Sequence, residues 1–209
     1  MHERAVNHLR EQDPRLRPWI DHIGLITMPR RRSRDPYLAL LESVVYQQLT
    51  GAAARTIWNR VLDLFEDRSP LPDRVMGLSD DRLRSAGLSR SKVMSLKDIA
   101  AKAIAGDIPD GKRIARMPEN EIHDRLTEIR GIGPWTVNMV LIFTLRRPDV
   151  MPLNDYGLQK AFKIVYRKRS LPTPKQLLRA AERWRPYRTT AALYLWRIAD
   201  DPDALKITS

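Results

Sequence analysis

The chain contains no cysteine, which excludes disulfide bonds, thiolate-bound zinc and cysteine-ligated iron–sulfur clusters. Histidine is scarce as well. His2, His8, His22 and His123 form no HExxH or other close ligand pair, so a histidine metal site is not expected and each reads as a solvated or locally bonded side chain. Long apolar runs are also missing. The longest, Val137 to Leu145, is interrupted by Asn138 and Thr144 and falls far short of the roughly 20 residues that span a bilayer. The N-terminus carries Glu3, Arg4, His8 and Arg10 where a signal peptide would place its apolar segment. The expectation is a cytoplasmic protein without membrane contact. Period-two alternation, internal repeats and low-complexity segments are lacking too, and only residues 23 to 28 suggest a short extended piece.

What remains is a basic, helical chain of 209 residues. Lys and Arg number 37 against 25 Asp and Glu, giving a formal charge of +12, and 43 % of residues are hydrophobic. That is enough apolar mass for one packed domain or two small ones. The positive excess makes a polyanion the first partner to consider, although solvated surfaces account for many basic chains; the Arg30–Arg34 block reads as such a loop. Punctuation marks helix ends throughout. Asp35-Pro36 opens a first core helix with Leu38, Leu41 and Val45 on one face, running to about Leu49 until Gly51 breaks it. A second stripe follows at Ile57, Val61, Leu64 and Phe65. Ser79 and Ser89 cap the next two helices, the latter with Val93, Leu96, Ala100 and Ile104 on one face. Pro118 precedes Ile122, Leu126 and Ile129, and Pro134 starts a helix apolar on most sides and therefore buried. Asn154-Asp155, Thr173-Pro174 and Pro186 introduce the last three. The fold class is all-α, with nine or ten helices, and Trp58 and Trp184 are assigned to the core.

The most informative stretch is Leu126-Thr-Glu-Ile-Arg-Gly-Ile-Gly-Pro-Trp-Thr-Val137, which joins two helices through a glycine turn. Gly131 can adopt positive φ, and Gly133 lets a foreign backbone come close. Pro134 presets the following helix, whose first N–H groups point outward with the positive end of its dipole behind them. Such a corner suits phosphate and reads no bases. A tight corner between two helices with no ligand is the commoner use of this spacing.

This stretch resembles the helix-hairpin-helix of the DNA glycosylase superfamily that includes endonuclease III. The Leu-x-x-Ile-x-Gly-Ile-Gly-x-Trp-Thr form is similar to its 3-methyladenine DNA glycosylase II, or AlkA-like, branch. Further matches lie in Met151-Pro-Leu-Asn-Asp-Tyr156, in Glu42-Ser-Val-Val-Tyr-Gln-Gln-Leu49 and in Ala181 to Trp196. The resemblance covers about residues 36 to 200. It implies a two-lobed HhH-GPD fold with a lobe at 36–147, a second lobe formed by 1–35 and 148–209, and the hairpin at a cleft between them.

The resemblance also implies the chemistry. Asp155 matches the superfamily's invariant carboxylate, a fixed negative charge for the oxocarbenium-like sugar formed as an N-glycosidic bond breaks; capping a helix is the alternative role, and compatible with it. Trp135 stands where bifunctional members carry a catalytic Lys, which implies a monofunctional enzyme using water. Leu49, with Gln48 beside it, would be the wedge that fills the stack when a base is flipped out, or else a core Leu at a helix end. Trp135, Trp196 and Tyr156 match the base pocket, where π faces select a cationic alkylated purine, and Met139 replaces an aromatic residue there. Gly131, Gly133, Thr136, Arg130 and Arg188 are the candidate contacts to the DNA backbone. The carbonyls of Thr127, Ile129 and Ile132 match a monovalent-cation seat for Na+ or K+; no other cofactor is implied. The implied function is removal of alkylated bases, chiefly 3-methyladenine, from double-stranded DNA by a monomer in the cytoplasm, at the nucleoid in a prokaryote. A DNA-binding module without chemistry, and a glycosylase for uracil, mispaired or oxidised bases, are the competing readings.

Overall fold

The computed structural model describes residues 2–28, 35–49 and 51–201; the Arg30–Arg34 basic block lies outside them. Among the described residues there are thirteen α-helices and no strand. The first seven are α1 (His2–Gln12), α2 (Arg17–Ile23), α3 (Pro36–Tyr46), α4 (Gly51–Leu62), α5 (Pro72–Gly77), α6 (Asp80–Ser85) and α7 (Arg90–Ile104). The rest are α8 (Gly111–Ile114), α9 (Glu119–Thr127), α10 (Pro134–Met139), α11 (Tyr156–Val165), α12 (Pro174–Ala181) and α13 (Arg188–Asp200). None is long and apolar enough to cross a membrane. The chain divides into two compact units, Met1–Arg30 with Arg146–Ser209, and Arg31–Leu145.

Side-chain caps open six of the helices, α3, α6, α7, α8, α11 and α12. Asp35, Ser79 and Ser89 accept the amides of Tyr37, Arg82 and Lys92 at 2.9, 3.2 and 3.3 Å, and Thr173 and Gln176 form a reciprocal capping box. Several boundaries depart from the pattern. The first core helix stops at Tyr46, short of Leu49, and Gly51 opens α4 rather than ending α3. The apolar run after Pro134 is α-helical only to Met139 and continues as a π-helical turn over Val140–Thr144, a local insertion of the kind found at functional sites. Residues 24–28 form no strand, and Ile23 closes a helix. Helix α1, of 11 residues, and the short α2, α5 and α8, of 7, 6 and 4, escape a reading based on long stripes. Trp58 is half-buried rather than core, and Ile104, at the last position of α7, is 53 % exposed.

In the unit formed by the chain ends, α11 packs on α13, and α13 on α1 and α2. Its core gathers Leu9, Leu16, Trp19, Leu158, Phe162, Leu177, Trp184 and Tyr194. One buried charge organises it. Asp13 is fully buried, and its carboxylate accepts the amides of Arg15 and Leu16 at 3.1 and 3.2 Å. It also accepts the Trp184 indole N–H at 2.8 Å and the Tyr166 hydroxyl. Burial, followed by this hydrogen bond to Asp13, pushes the Tyr166 phenol well above its ordinary range.

In the central unit, α3 packs against α7, α10 and the π-helical turn, and α10 against α9. The corner between α9 and α10 rests on α7. Gly131 has φ 78°, and a Cβ built there would lie 2.3 Å from Ser95 Oγ, itself 3 % exposed on α7. Asp98, one turn further along α7, accepts the Arg130 amide at 2.7 Å.

Two stability predictions follow from these contacts. Asp13→Ala leaves the buried Trp184 and Tyr166 donors without an acceptor and should cost about 3 kcal/mol in urea unfolding; a loss under about 1 kcal/mol would mean water replaces the carboxylate. Gly131→Ala combines left-handed strain with a steric clash and should cost about 3 kcal/mol by the same measurement. A midpoint equal to that of the parent chain would show the corner free to relax.

Candidate functional site

In the central unit, α9 ends at Thr127 and the chain turns through Ile129–Gly133 into α10. Ile129 and Ile132 are buried under the turn, 3 % and 4 % exposed, which pins its apolar side inward. Gly133 is the N-cap of α10 and Pro134 its first residue, so the amides of the first turn at Trp135 and Thr136 have no i−4 carbonyl within the helix. His123 on α9 donates through Nε2 to Asn138 Oδ1 on α10 at 3.0 Å, tying the two helices together. The Arg130 side chain is exposed, as is that of Trp135 at 40 %. Thr136 is 2 % exposed; its hydroxyl faces inward and accepts from Gln47 Nε2 at 3.3 Å. The same amide nitrogen donates to the Gly131 carbonyl at 2.9 Å.

Gln47 is the C-cap of α3 and begins a turn. Gln48, with φ 57°, is a non-glycine residue in the left-handed region, and Leu49, 39 % exposed, lies beyond the helix end. Leu49 is therefore not a core residue, and the wedge candidates sit on a turn fastened to the glycine corner. Met139 closes α10 and is half-buried.

In the unit formed by the chain ends, Asp155 caps α11. Its Oδ1 accepts the Leu158 amide at 2.9 Å and the Trp196 indole N–H at 3.0 Å. At 9 % exposure the carboxylate is held by two donors from different helices, and at a helix N-terminus its negative charge is stabilised by the dipole. Gly157 packs closely under this pairing, since a Cβ there would lie 3.2 Å from Asp155 Oδ1 and 3.4 Å from Trp196 Cδ1. Beside the carboxylate, Tyr156 presents 68 % of its surface to solvent, and Trp196 is half-buried.

Arg188 does not match its expected role as a DNA contact. Its Nε and Nη2 donate to the Asp149 carboxylate at 2.8 and 3.0 Å, and Nη2 also to the Asp149 carbonyl at 2.8 Å. The side chain is 12 % exposed, and its guanidinium braces the loop before Val150 instead of facing outward. Sequence reasoning also passed over Gln47, Lys92, Ser95 and Asp98. The last three recur at three-residue spacing on α7, a polar stripe that looks like an ordinary solvated face. Lys92 donates through Nζ to the carbonyls of Val45 and Gln47, both at 2.8 Å, and burial pulls its ammonium below the ordinary lysine range. Among the described residues no cluster of His, Asp or Glu is arranged to hold a metal ion.

Comparison with known proteins fits this geometry. The family model described as HhH-GPD superfamily base excision DNA repair protein matches residues 41–186. DNA-3-methyladenine glycosylase 1 of Schizosaccharomyces pombe is 37 % identical over 174 residues, covering 83 % of this chain and 76 % of the relative. The solved structure of the 3-methyladenine DNA glycosylase from that yeast, in complex with abasic DNA, superposes with a TM-score of 0.89 at 35 % identity over 96 % of this chain and 98 % of that one. A DNA-3-methyladenine glycosidase from Bacillus halodurans gives a TM-score of 0.82 at 32 % identity, over 93 % and 88 % of the two chains. With its glycine corner, its capping carboxylate and this breadth of similarity, the chain belongs to the HhH-GPD superfamily of base excision DNA repair proteins.

Proposed function

We propose that the protein is a monofunctional DNA glycosylase that removes alkylated bases, chiefly 3-methyladenine, from double-stranded DNA and leaves an abasic site. The observation that carries this reading is the Asp155 carboxylate, capped by Leu158 N–H and oriented by the Trp196 indole. Beyond capping α11, a module that only held DNA would gain nothing from fixing an anion beside the exposed Tyr156 ring, because a carboxylate repels phosphate.

Methylation at N3 gives the purine a positive charge and weakens its bond to C1′. As the C1′–N9 bond breaks, its electron pair moves to the base, which leaves neutral, and positive charge develops on the sugar. Asp155 stabilises that charge. The oxygen of a water molecule then bonds to C1′, and its proton passes to solvent. The departing base is already cationic, so no general acid is required. Tyr156, Trp196 and Trp135 offer π faces to a cationic ring, and Met139 adds a polarizable thioether. The amides of Gly131, Gly133 and Thr136 and the Arg130 guanidinium hold phosphates, while Leu49 and Gln48 fill the space vacated by the flipped nucleotide. The same reading seats Na+ or K+ on the carbonyls of Thr127, Ile129 and Ile132. Oxygen donors suit such an ion, and the Ile129 oxygen, which also accepts the Ile132 amide at 3.0 Å, has a second lone pair. No cofactor takes part. The protein acts as a monomer in the compartment that holds the DNA.

Asp155→Asn tests the assignment cleanly, because Asn caps helices about as well as Asp. Release of free 3-methyladenine from methylated duplex DNA, followed chromatographically, should fall by about 10²-fold or more, with duplex affinity retained. Undiminished release would remove Asp155 from the reaction, and a parent chain that binds DNA but frees no base would leave only the binding-module reading. With Trp135 in place of an amine, borohydride added during turnover should trap no covalent protein–DNA species; a trapped adduct would overturn the monofunctional assignment.

A further inference from the structure

The turn after α3 carries two side chains proposed to enter DNA, yet a turn with exposed Leu49 and Gln48 has little packing of its own to hold it. Two sets of hydrogen bonds supply the stiffness. Lys92 Nζ donates to the carbonyls of Val45 and Gln47 at 2.8 Å, and a cation at a helix C-terminus is favoured by the dipole. From the same residue, the Gln47 side chain reaches out and donates to the Gly131 carbonyl at 2.9 Å and to Thr136 Oγ1 at 3.3 Å. Gln47 is thus held through its main chain by α7 and holds the glycine corner through its side chain.

The corner in turn rests on α7. Gly131 sits against Ser95 with no room for a Cβ, and Asp98 accepts the Arg130 amide at 2.7 Å. Lys92, Ser95 and Asp98, on successive turns of one helix face, back the turn and the corner together. The left-handed Gln48, φ 57°, is a backbone state that persists only where surroundings over-determine it, and the bonds on either side of Gln47 do so. A Gln placed merely to end α3 would need only its backbone; the two contacts of the amide nitrogen have another purpose.

We propose that Gln47 is a positioning residue that sets the register between the phosphate-gripping corner and the inserting side chains. Leu49 and Gln48 then enter the stack at the nucleotide whose backbone the corner holds. The proposal rests on the glycosylase reading for the roles of Leu49 and the corner. It predicts a separation of effects, because losing the tie leaves the corner's amides in place while the wedge loses its aim.

Gln47→Ala and Gln47→Glu test it; the second keeps the shape but replaces the donor with an acceptor facing the Gly131 carbonyl. Three quantities are read: affinity for an undamaged duplex, the fluorescence rise of 2-aminopurine placed next to a 3-methyladenine, and single-turnover release of the base. Both variants should bind undamaged duplex and melt like the parent chain, while the fluorescence rise and base release slow together by about tenfold to a hundredfold. Parent-like flipping in Gln47→Ala overturns the proposal, as does parent-like flipping in Gln47→Glu, which would assign the effect to bulk. A fall in duplex affinity equal to the fall in release also overturns it, by making Gln47 part of the grip. Leu49→Ala separates the two levels of inference. If it abolishes the rise while Gln47→Ala does not, the tie fails and the wedge stands. If it leaves the rise intact while Gln47→Ala abolishes it, the wedge assigned to Leu49 fails, and the tie stands with Gln48 as the inserted side chain. If the parent chain shows neither rise nor release, the glycosylase reading and the tie fail together.

Discussion

A turn proposed to offer its own amides to phosphate must keep side chains out of the way, and the space for this protein's glycine corner is set by one contact, Gly131 against Ser95. A Cβ at Gly131 would lie 2.3 Å from the Ser95 hydroxyl, so the corner lies directly on α7 with nothing between. That closeness lets Asp98 reach the Arg130 amide and Gln47 reach the Gly131 carbonyl. Moving the corner off α7 would lose the Ser95 packing and the Asp98 hydrogen bond together. The glycine corner, the α9–α10 crossing and the turn after α3 therefore share one foundation, a helix whose own residues take no part in the proposed chemistry.

The carboxylate has a different kind of support. Asp155 terminates α11 and also receives the Trp196 indole from α13, both on Oδ1. The capping role fixes where the oxygen can be, and the indole fixes its direction, so orientation follows from folding and does not wait for substrate. Gly157 is the third part of this arrangement, because a Cβ there would crowd Asp155 Oδ1 at 3.2 Å. In the proposed reaction, charge preorganised in this way need not reorganise as the sugar becomes positive.

Capping residues and apolar stripes announced α3, α6, α7 and α12, since Asp35, Ser79, Ser89 and Thr173 each hold a backbone amide through the side chain the sequence displays. The Asp155 cap was equally plain. What stayed hidden involved main-chain atoms or shape. The carbonyls of Val45, Gln47 and Gly131 have no residue-specific signature, so their partners Lys92 and Gln47 looked like surface groups. The polar stripe on α7 looked solvated because period and polarity cannot distinguish water from a neighbouring turn. Arg188 was misassigned for a related reason: a guanidinium in a basic chain invites a phosphate, and only the fold reveals Asp149 beside it. The π-helical turn at Val140–Thr144 was invisible in an apolar run that reads as helix under either hydrogen-bonding scheme.

The Arg188–Asp149 pair bears on how firmly the protein holds nucleic acid at different ionic strengths. Arg185 shares Asp149 at 2.8 Å, and Arg10–Asp21 and Arg74–Asp67 pair at 2.6 Å. Cations already matched by internal carboxylates displace few condensed counterions from a duplex. The slope of log affinity against log salt, about −0.9 per phosphate neutralised, should therefore correspond to far fewer contacts than the 37 Lys and Arg side chains would allow.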